Sequence, residues 1–319
     1  MFNLIPLIKN ENMKIYKRLG TWVMIGLLFL VIVVAAFFTK FFFVEENSER
    51  WEEQLQMTNI QLIEQIEEIE SSNIIGISTQ SLHEQVAINE YRIENNLPPL
   101  DSQTFWGFMN SAPDFTSIAA LFTIVIGAGI VAGEFSSGTI KLLLIRPVSR
   151  YKILFSKYIS TLLFALFLIC IMVISSFVIG IILFGFDGIE LPSLTFTDGK
   201  VIERNMITQT LLLYGIQAVD LVMMVTFAFM VSTVFRSNSL AIGISIFLMF
   251  TGQQLVMLFN DYNWVKYILF ANTNLNQFFN GTPMVEGMTL TFSLIVLSIY
   301  YIFFLVISWI MFNFRDVDA

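Results

Sequence analysis

The sequence predicts an all-α membrane protein with six transmembrane helices, and three observations carry that prediction. Hydrophobic residues make up 56% of the 319-residue chain. Charged residues make up 13%, against about 25% in a soluble domain. Six stretches have the roughly 20 largely apolar residues that a spanning helix needs. The 33 Phe and 15 Met exceed what one globule of this size can bury, so lipid must act as solvent for much of the surface. The single Cys170 excludes a disulfide framework, and the single His83 excludes a multi-histidine metal cluster. A net charge of −8 argues against a nucleic-acid partner, whose phosphates select Lys and Arg.

The spans read as 22–44, 115–133, 159–186, 207–235, 239–260 and 289–312. Around them lie an amphipathic helix at 1–21, an acidic helical segment at 45–114, a basic loop at 134–158, a polar hairpin at 187–206, broken helices at 261–288 and a tail at 313–319. In the leader, Leu4, Ile8, Ile15 and Leu19 alternate with Lys9, Lys14, Lys17 and Arg18. A helix sorts these into two faces and predicts an element lying on the inner leaflet. A cleaved signal peptide is rejected for span one because its apolar run continues through Phe43 after a 21-residue leader.

In the acidic segment, Leu55, Leu62, Ile66 and Ile69 make an apolar stripe on a rod whose other positions hold Glu52, Glu53, Glu64, Glu67 and Glu68. The stripe should pair with its own copy or with a weaker helix near Leu82 to Tyr91. In span two, Gly127, Gly129 and Gly133 point to close helix contact. Cys170 in span three reads as packing. The hairpin should turn at Asp198 and Gly199. Between Asp261 and Met288 the apolar residues are interrupted by Asn272, Asn274, Asn276, Gly281 and Pro283. That pattern predicts short re-entrant helices in the outer leaflet, with Trp264 and Tyr267 at the headgroups.

An inside N-terminus puts 11 of the 17 Lys and Arg on the cytoplasmic side, and short loops hold nearly all of them. The positive-inside rule therefore places both termini in the cytoplasm. It leaves 20 of the 25 acidic residues on a strongly anionic outer face.

No hydrolytic or redox constellation assembles: there is no His beside a Ser, no HExxH and no CxxC. Gly133 to Ile140 imitates the glycine spacing of a phosphate loop, but Thr139 and Ile140 stand where Lys and Ser or Thr would hold phosphate and magnesium. An energised function would need a second polypeptide.

That same stretch is the sharpest signal in the chain. Glu134, Phe135, Gly138, Thr139 and Ile140 form an EF-x-x-GT-I run, Lys141 and Arg146 follow, and Pro147-Val148-Ser149-Arg150 form a turn before Lys152 and Lys157. The pattern resembles the loop after the second span in ABC type-2 permeases, the membrane subunits of ATP-binding-cassette exporters. The leader, the six spans and the broken outer segment agree with that architecture, while the long acidic segment departs from its simplest members. The resemblance implies a cytoplasmic coupling helix, with Glu134, Phe135, Gly138, Thr139, Lys141, Arg146, Pro147, Ser149 and Arg150 as ATPase-coupling residues. It also implies two copies of a cytosolic ATPase that bind ATP and Mg, a second permease copy or a homologue, and no cofactor or catalytic site in this chain. The implied activity is export of a hydrophobic or amphiphilic compound such as a peptide antibiotic or a lipid-like molecule. Read from the residues alone, Gly138 permits a sharp turn, Pro147 stops a helix, Ser149 is placed to cap the next one, and the basic side chains anchor at anionic headgroups.

Asp220 is the one carboxylate well inside a span, with Gln217 a turn before it. It could relay protons, contact a cationic substrate, or bond to Gln253 or Gln254 of the next span. The proton-relay role, or a ligand-sensing role for the acidic outer rod, would describe an ATP-independent carrier or sensor instead of an exporter.

Overall fold

Leu4–Tyr16 form α1, and a sharp turn at Lys17 and Arg18 leads into α2 over Leu19–Phe42. The last carbonyls of a helix have no partner within it. Here span-one side chains supply them, Thr21 Oγ1 donating to Ile15 O (2.6 Å) and Trp22 Nε1 to Tyr16 O (2.9 Å). This computed structural model describes residues 4–42, 50–71, 79–141, 147–185, 191–197, 199–260, 262–280, 283–285 and 287–314.

Helices α3 (Trp51–Ser71) and α4 (Gln80–Glu94) pack on each other. Leu62 and Ile66 of the apolar stripe are buried, and Asn89 Nδ2 bonds Asn59 Oδ1 across the pair (2.8 Å). The stripe thus meets the weaker helix of the same chain. Phe105–Ser111 form α5, a 3₁₀ turn spans Ala112–Phe115 with Pro113 in it, and α6 runs over Thr116–Ser136. Taken together, the helical stretch Phe105–Ser136 is longer at both ends than 115–133, and it stops just before Gly138.

The third span is α7, Arg150–Phe184, whose 35 residues extend about 52 Å at 1.5 Å per residue. That exceeds a hydrocarbon core of about 30 Å. The loop expected at 134–158 is correspondingly shorter, because 150–158 contain neither Gly nor Pro and bury Ile153, Leu154 and Tyr158. Strands β1 (Ser193–Thr197) and β2 (Lys200–Arg204) pair antiparallel with Thr197 opposite Lys200, and Gly199 takes φ +77° in the turn. Asp198 and Asp187 lie outside the described residues. Tyr91 Oη donates to Glu203 Oε1 (3.2 Å), tying the hairpin to α4.

Helices α8 (Met206–Val234), α9 (Asn238–Leu258) and α12 (Leu290–Asn313) are each opened by a side-chain cap, from Asn205, Ser237 and Thr289. Between α9 and α12 lie a 3₁₀ turn at Val265–Tyr267, α10 at Leu269–Thr273 and α11 at Gln277–Asn280. These are the broken helices expected there. Their irregular backbone is tolerated because protein covers it. Asn272 is fully buried and donates to Lys266 O and Ile268 O, both at 2.8 Å. Gln277 donates to Ala271 O and accepts from Met284 N. Trp264 and Tyr267 are exposed. Asp261, Gly281, Arg315 and the rest of the tail after 314 lie outside the described residues.

Among the described residues, six helices are long and apolar enough to cross a membrane. The second is central: 67% of its most apolar window is buried, against 22% for the first, fifth and sixth. It packs on α7, α8 and α9, while α2 flanks α7 and α12 flanks α8. The glycines explain part of that closeness. A Cβ on Gly127 would meet Thr161 Cγ2 at 3.2 Å and one on Gly129 would meet Asn238 Oδ1 at 3.0 Å, whereas Gly133 faces open space. Cys170, expected in the packing, is instead exposed on the apolar surface of α7.

Candidate functional site

The residues with the densest chemistry lie at the end of the bundle where α6 stops and α7 starts. Glu134 stays helical in the last turn of α6. The helix ends at Gly138, whose φ of +72° and N–H bonded to Phe135 O (3.1 Å) mark a left-handed stop. Beyond it, Ile140 is buried and pins the turn to the bundle. Thr139 Oγ1 then folds back to donate to Glu134 Oε2.

Glu134 faces two lysines that the loop itself does not contain. Lys157, fully buried on α7, spends all three of its N–H donors: on Glu11 Oε2 (2.8 Å), Ile130 O (3.1 Å) and Glu134 Oε1 (3.2 Å). Lys14 donates to Glu11 Oε1 (2.9 Å) and Glu134 Oε1 (2.8 Å). Two cations and two carboxylates thus form a closed ring with no net charge, joining α1, α6 and α7. For Lys14, burial works against the charge, but the hydrogen bonds and fields of Glu134 and Glu11 outweigh it and hold its pKa above the ordinary 10.5.

This geometry shows what one face of the leader helix packs against. Its inward face is Ile8, Glu11 and Ile15, set against α7, with Ser160 Oγ donating to Ile8 O (3.3 Å), while Leu19 is 80% exposed. On that face Glu11 meets Lys157, while Ile5, Pro6, Lys9 and Met13 on the rest of the helix stay exposed. Sequence reasoning missed Glu11, and read Lys14 as a charge of the amphipathic leader and Lys157 as the end of the loop motif, without pairing either with a carboxylate. The available signal was that Glu11 is the only acid in the first 44 residues, three before Lys14.

The other loop residues separate. Phe135 is partly buried against the core, whereas Lys141, Pro147 and Ser149 are exposed. Ser149 occupies the N-cap of α7 in extended conformation, but its hydroxyl makes no capping bond. Its carbonyl closes the turn instead, accepting from Lys152 N (3.0 Å) and Ile153 N (3.3 Å). Arg150 Nη1 donates to Asn313 O (2.9 Å) and so caps the last carbonyls of α12. It is fastened to the sixth span, away from the charged ring. Arg146 lies outside the described residues.

The intramembrane polar set does not assemble as expected. Asp220 on α8 has Thr273 of α10 as its side-chain partner, and its Oδ1 is buried with none. Gln254 is exposed, Gln253 is partly exposed, and neither bonds Asp220. The re-entrant segment comes between α8 and α9 at that depth, so α10 and not α9 meets the carboxyl. Gln217 lines a separate cavity. Tyr158 Oη bonds Thr226 Oγ1 (2.9 Å) and Tyr301 Oη (3.0 Å), linking three spans below it.

Fold and site together define an all-helical, multi-pass membrane protein whose second and third spans are clamped to an N-terminal helix by buried charges. Residues 73–317 match the family described as "Protein of unknown function (DUF2705)", and the chain belongs to it. It is 44% identical over 317 residues to "Uncharacterized protein YhcI" of Bacillus subtilis (strain 168), covering 98% of this chain and 99% of the relative. It is 34% identical over 218 residues to "Uncharacterized membrane protein YdbK" of the same organism, covering 67% of this chain and 84% of the relative.

Proposed function

We propose that this chain is the membrane-spanning permease subunit of an ATP-driven exporter of the ATP-binding-cassette type, resident in the cell membrane with both termini in the cytoplasm. It pairs with a second copy or a homologous permease, and two cytosolic subunits hydrolyse ATP with Mg. The cargo is a hydrophobic or amphiphilic compound, such as a peptide antibiotic or a lipid-like molecule, moved by alternating access at the dimer interface.

One observation carries this reading: the EF-x-x-GT and PVSR segment joins two spans at a point where Glu134 is gripped from three elements. A partner pressing on exposed Ser137, Lys141 or Pro147 would act on α6 through the turn at Gly138, and on α1 and α7 through the ring. Such a joint transmits displacement because packed, fully paired charges resist local collapse. The excess of Lys and Arg at this end sets its orientation toward the cytoplasm.

The test is a pull-down from native membranes with the partners identified. A cytosolic ATPase should copurify, and Glu134→Gln should weaken that association or uncouple hydrolysis from export while membrane abundance stays normal. Purification without any ATPase, with transport following a proton gradient, would overturn the assignment. That outcome would favour a carrier using Asp220, the reading to which its unpartnered Oδ1 lends support.

A further inference from the structure

At the opposite end of the bundle, residues 100–102, α5, the 3₁₀ turn after it, α8 and the re-entrant segment line a cavity of about 310 Å³. Ser102, Asn110, Ser111, Asp114, Gln217 and Asn276 line it, and no lysine or arginine does. The lining is therefore one carboxylate among amide and hydroxyl oxygens. Asp114 is exposed at the cavity, and among the described residues its carboxylate forms no ion pair while its backbone carbonyl accepts from Ser117 Oγ (3.1 Å).

The walls are built, not loose. Thr210 Oγ1 donates to Asn110 Oδ1 (2.8 Å), and Asn110 Nδ2 donates to Met206 Sδ (3.5 Å), which fixes that amide. Gly107 lies so close to Asp101 that a Cβ there would sit 2.0 Å from its carbonyl oxygen, holding the approach to α5 against the wall. Leu213, Gln217 and Asp220 fall on one face of α8, at spacings of four and three residues. The same face therefore continues from the cavity to the unpartnered Asp220 Oδ1, with Thr273 and Asn276 three residues apart on the facing segment.

An anion has no donor of positive charge here, and a purely apolar ligand would leave the Asp114 carboxylate unanswered. A protonated amine offers three donors and one positive charge, which matches one carboxylate flanked by neutral oxygens. The glutamates of α3 and α4 stand at this end, and their field concentrates cations at the mouth. We infer that this cavity is a binding site for the ammonium group of an amine ligand, with Asp114 as counter-ion and Gln217 and Asn276 as orienting acceptors. The inference goes beyond the exporter reading and does not depend on it, because it concerns the isolated chain.

The experiment uses the full chain in phosphatidylcholine nanodiscs, titrated by saturation-transfer NMR with Nα-acetyl-lysine methylamide and, in parallel, its Nε-acetylated form. The charged probe should bind at least tenfold more tightly than the neutral one. Asp114→Asn should weaken it at least tenfold, Gln217→Leu about threefold, and Glu64→Gln on the exposed face of α3 less than twofold. Ser111→Lys, which places a tethered ammonium in the cavity, should abolish binding in a protein that still folds, covering the case in which Asp114→Asn does not. Repeating the titration with phosphatidylethanolamine in the disc separates the two sources of this group: competition there identifies a lipid headgroup as the ligand, and its absence a soluble amine. Equal binding of both probes, or an equal loss in Glu64→Gln, would overturn the site.

Discussion

The two ends of the bundle treat charge in opposite ways. Around Glu134 every charge is answered: Lys157 and Lys14 face Glu11 and Glu134 at 2.8 to 3.2 Å, and three helices meet there. Around Asp114 and Asp220, carboxylates stand without a cation among the described residues. A closed neutral ring is a joint, since no member can move without exposing another. An open carboxylate lined by neutral oxygens is a vacancy for a cation from outside. One end is built to hold its own helices, and the other to take something up.

The hardest test of the closed end is Lys157→Met, which leaves Glu11 and Glu134 sharing Lys14 alone. Breaking a buried pair from one side costs about 3–5 kcal/mol, visible as a large drop in thermal midpoint in nanodiscs. Adding Glu11→Gln should recover much of it, because the carboxylate that lost its cation is now neutral and the Lys14–Glu134 pair survives. Simple additivity of the two losses would show that the ring is not one unit.

Next in size is Gly252→Ala at the open end. A Cβ there would stand 2.3 Å from the Phe270 ring, so α10 must shift, at a cost of about 1–3 kcal/mol by overpacking. Because Phe270 precedes Thr273 and Asn276, the same change should weaken amine binding while leaving the ring intact. Unchanged binding would mean that the re-entrant segment does not shape the cavity.

Gly138→Val should cost about 1–2 kcal/mol through its left-handed φ, with normal membrane abundance but weakened ATPase association. Wild-type export from this variant would reduce the segment to a topology signal. The smallest expected effect is Asp220→Asn, whose amide keeps a hydrogen bond to Thr273 and should retain most ATP-dependent export. Loss of transport with folding intact would move Asp220 into the mechanism. Across neutral pH the contribution of Lys14 to the ring should stay constant. The Lys14 pKa is raised, so its contribution is complete below the ordinary 10.5 and is lost only as pH climbs through the raised value.

The spans, the hairpin, the α3 stripe and the broken outer helices were legible along the chain because each rests on local spacing: apolar runs, period 3.6, a turn residue at Gly199, Asn and Pro interrupting a short apolar stretch. Gly138 was legible for the same reason, since a left-handed stop needs little beyond the residue itself. The pairings across long separations were not. Glu11 and Lys157 are 146 residues apart, and Arg150 and Asn313 are 163 apart. Each of those basic residues satisfies the positive-inside pattern whether or not it finds a carboxylate or a carbonyl. Likewise, Asp220 could be recognised as costly from its position in an apolar run, but a run does not say which helix lies opposite. Local periodicity sets which residues become helix and which face of each helix is apolar. Only the packing of α6 among its neighbours, made close by Gly127 and Gly129, decides which charges meet and which are left open.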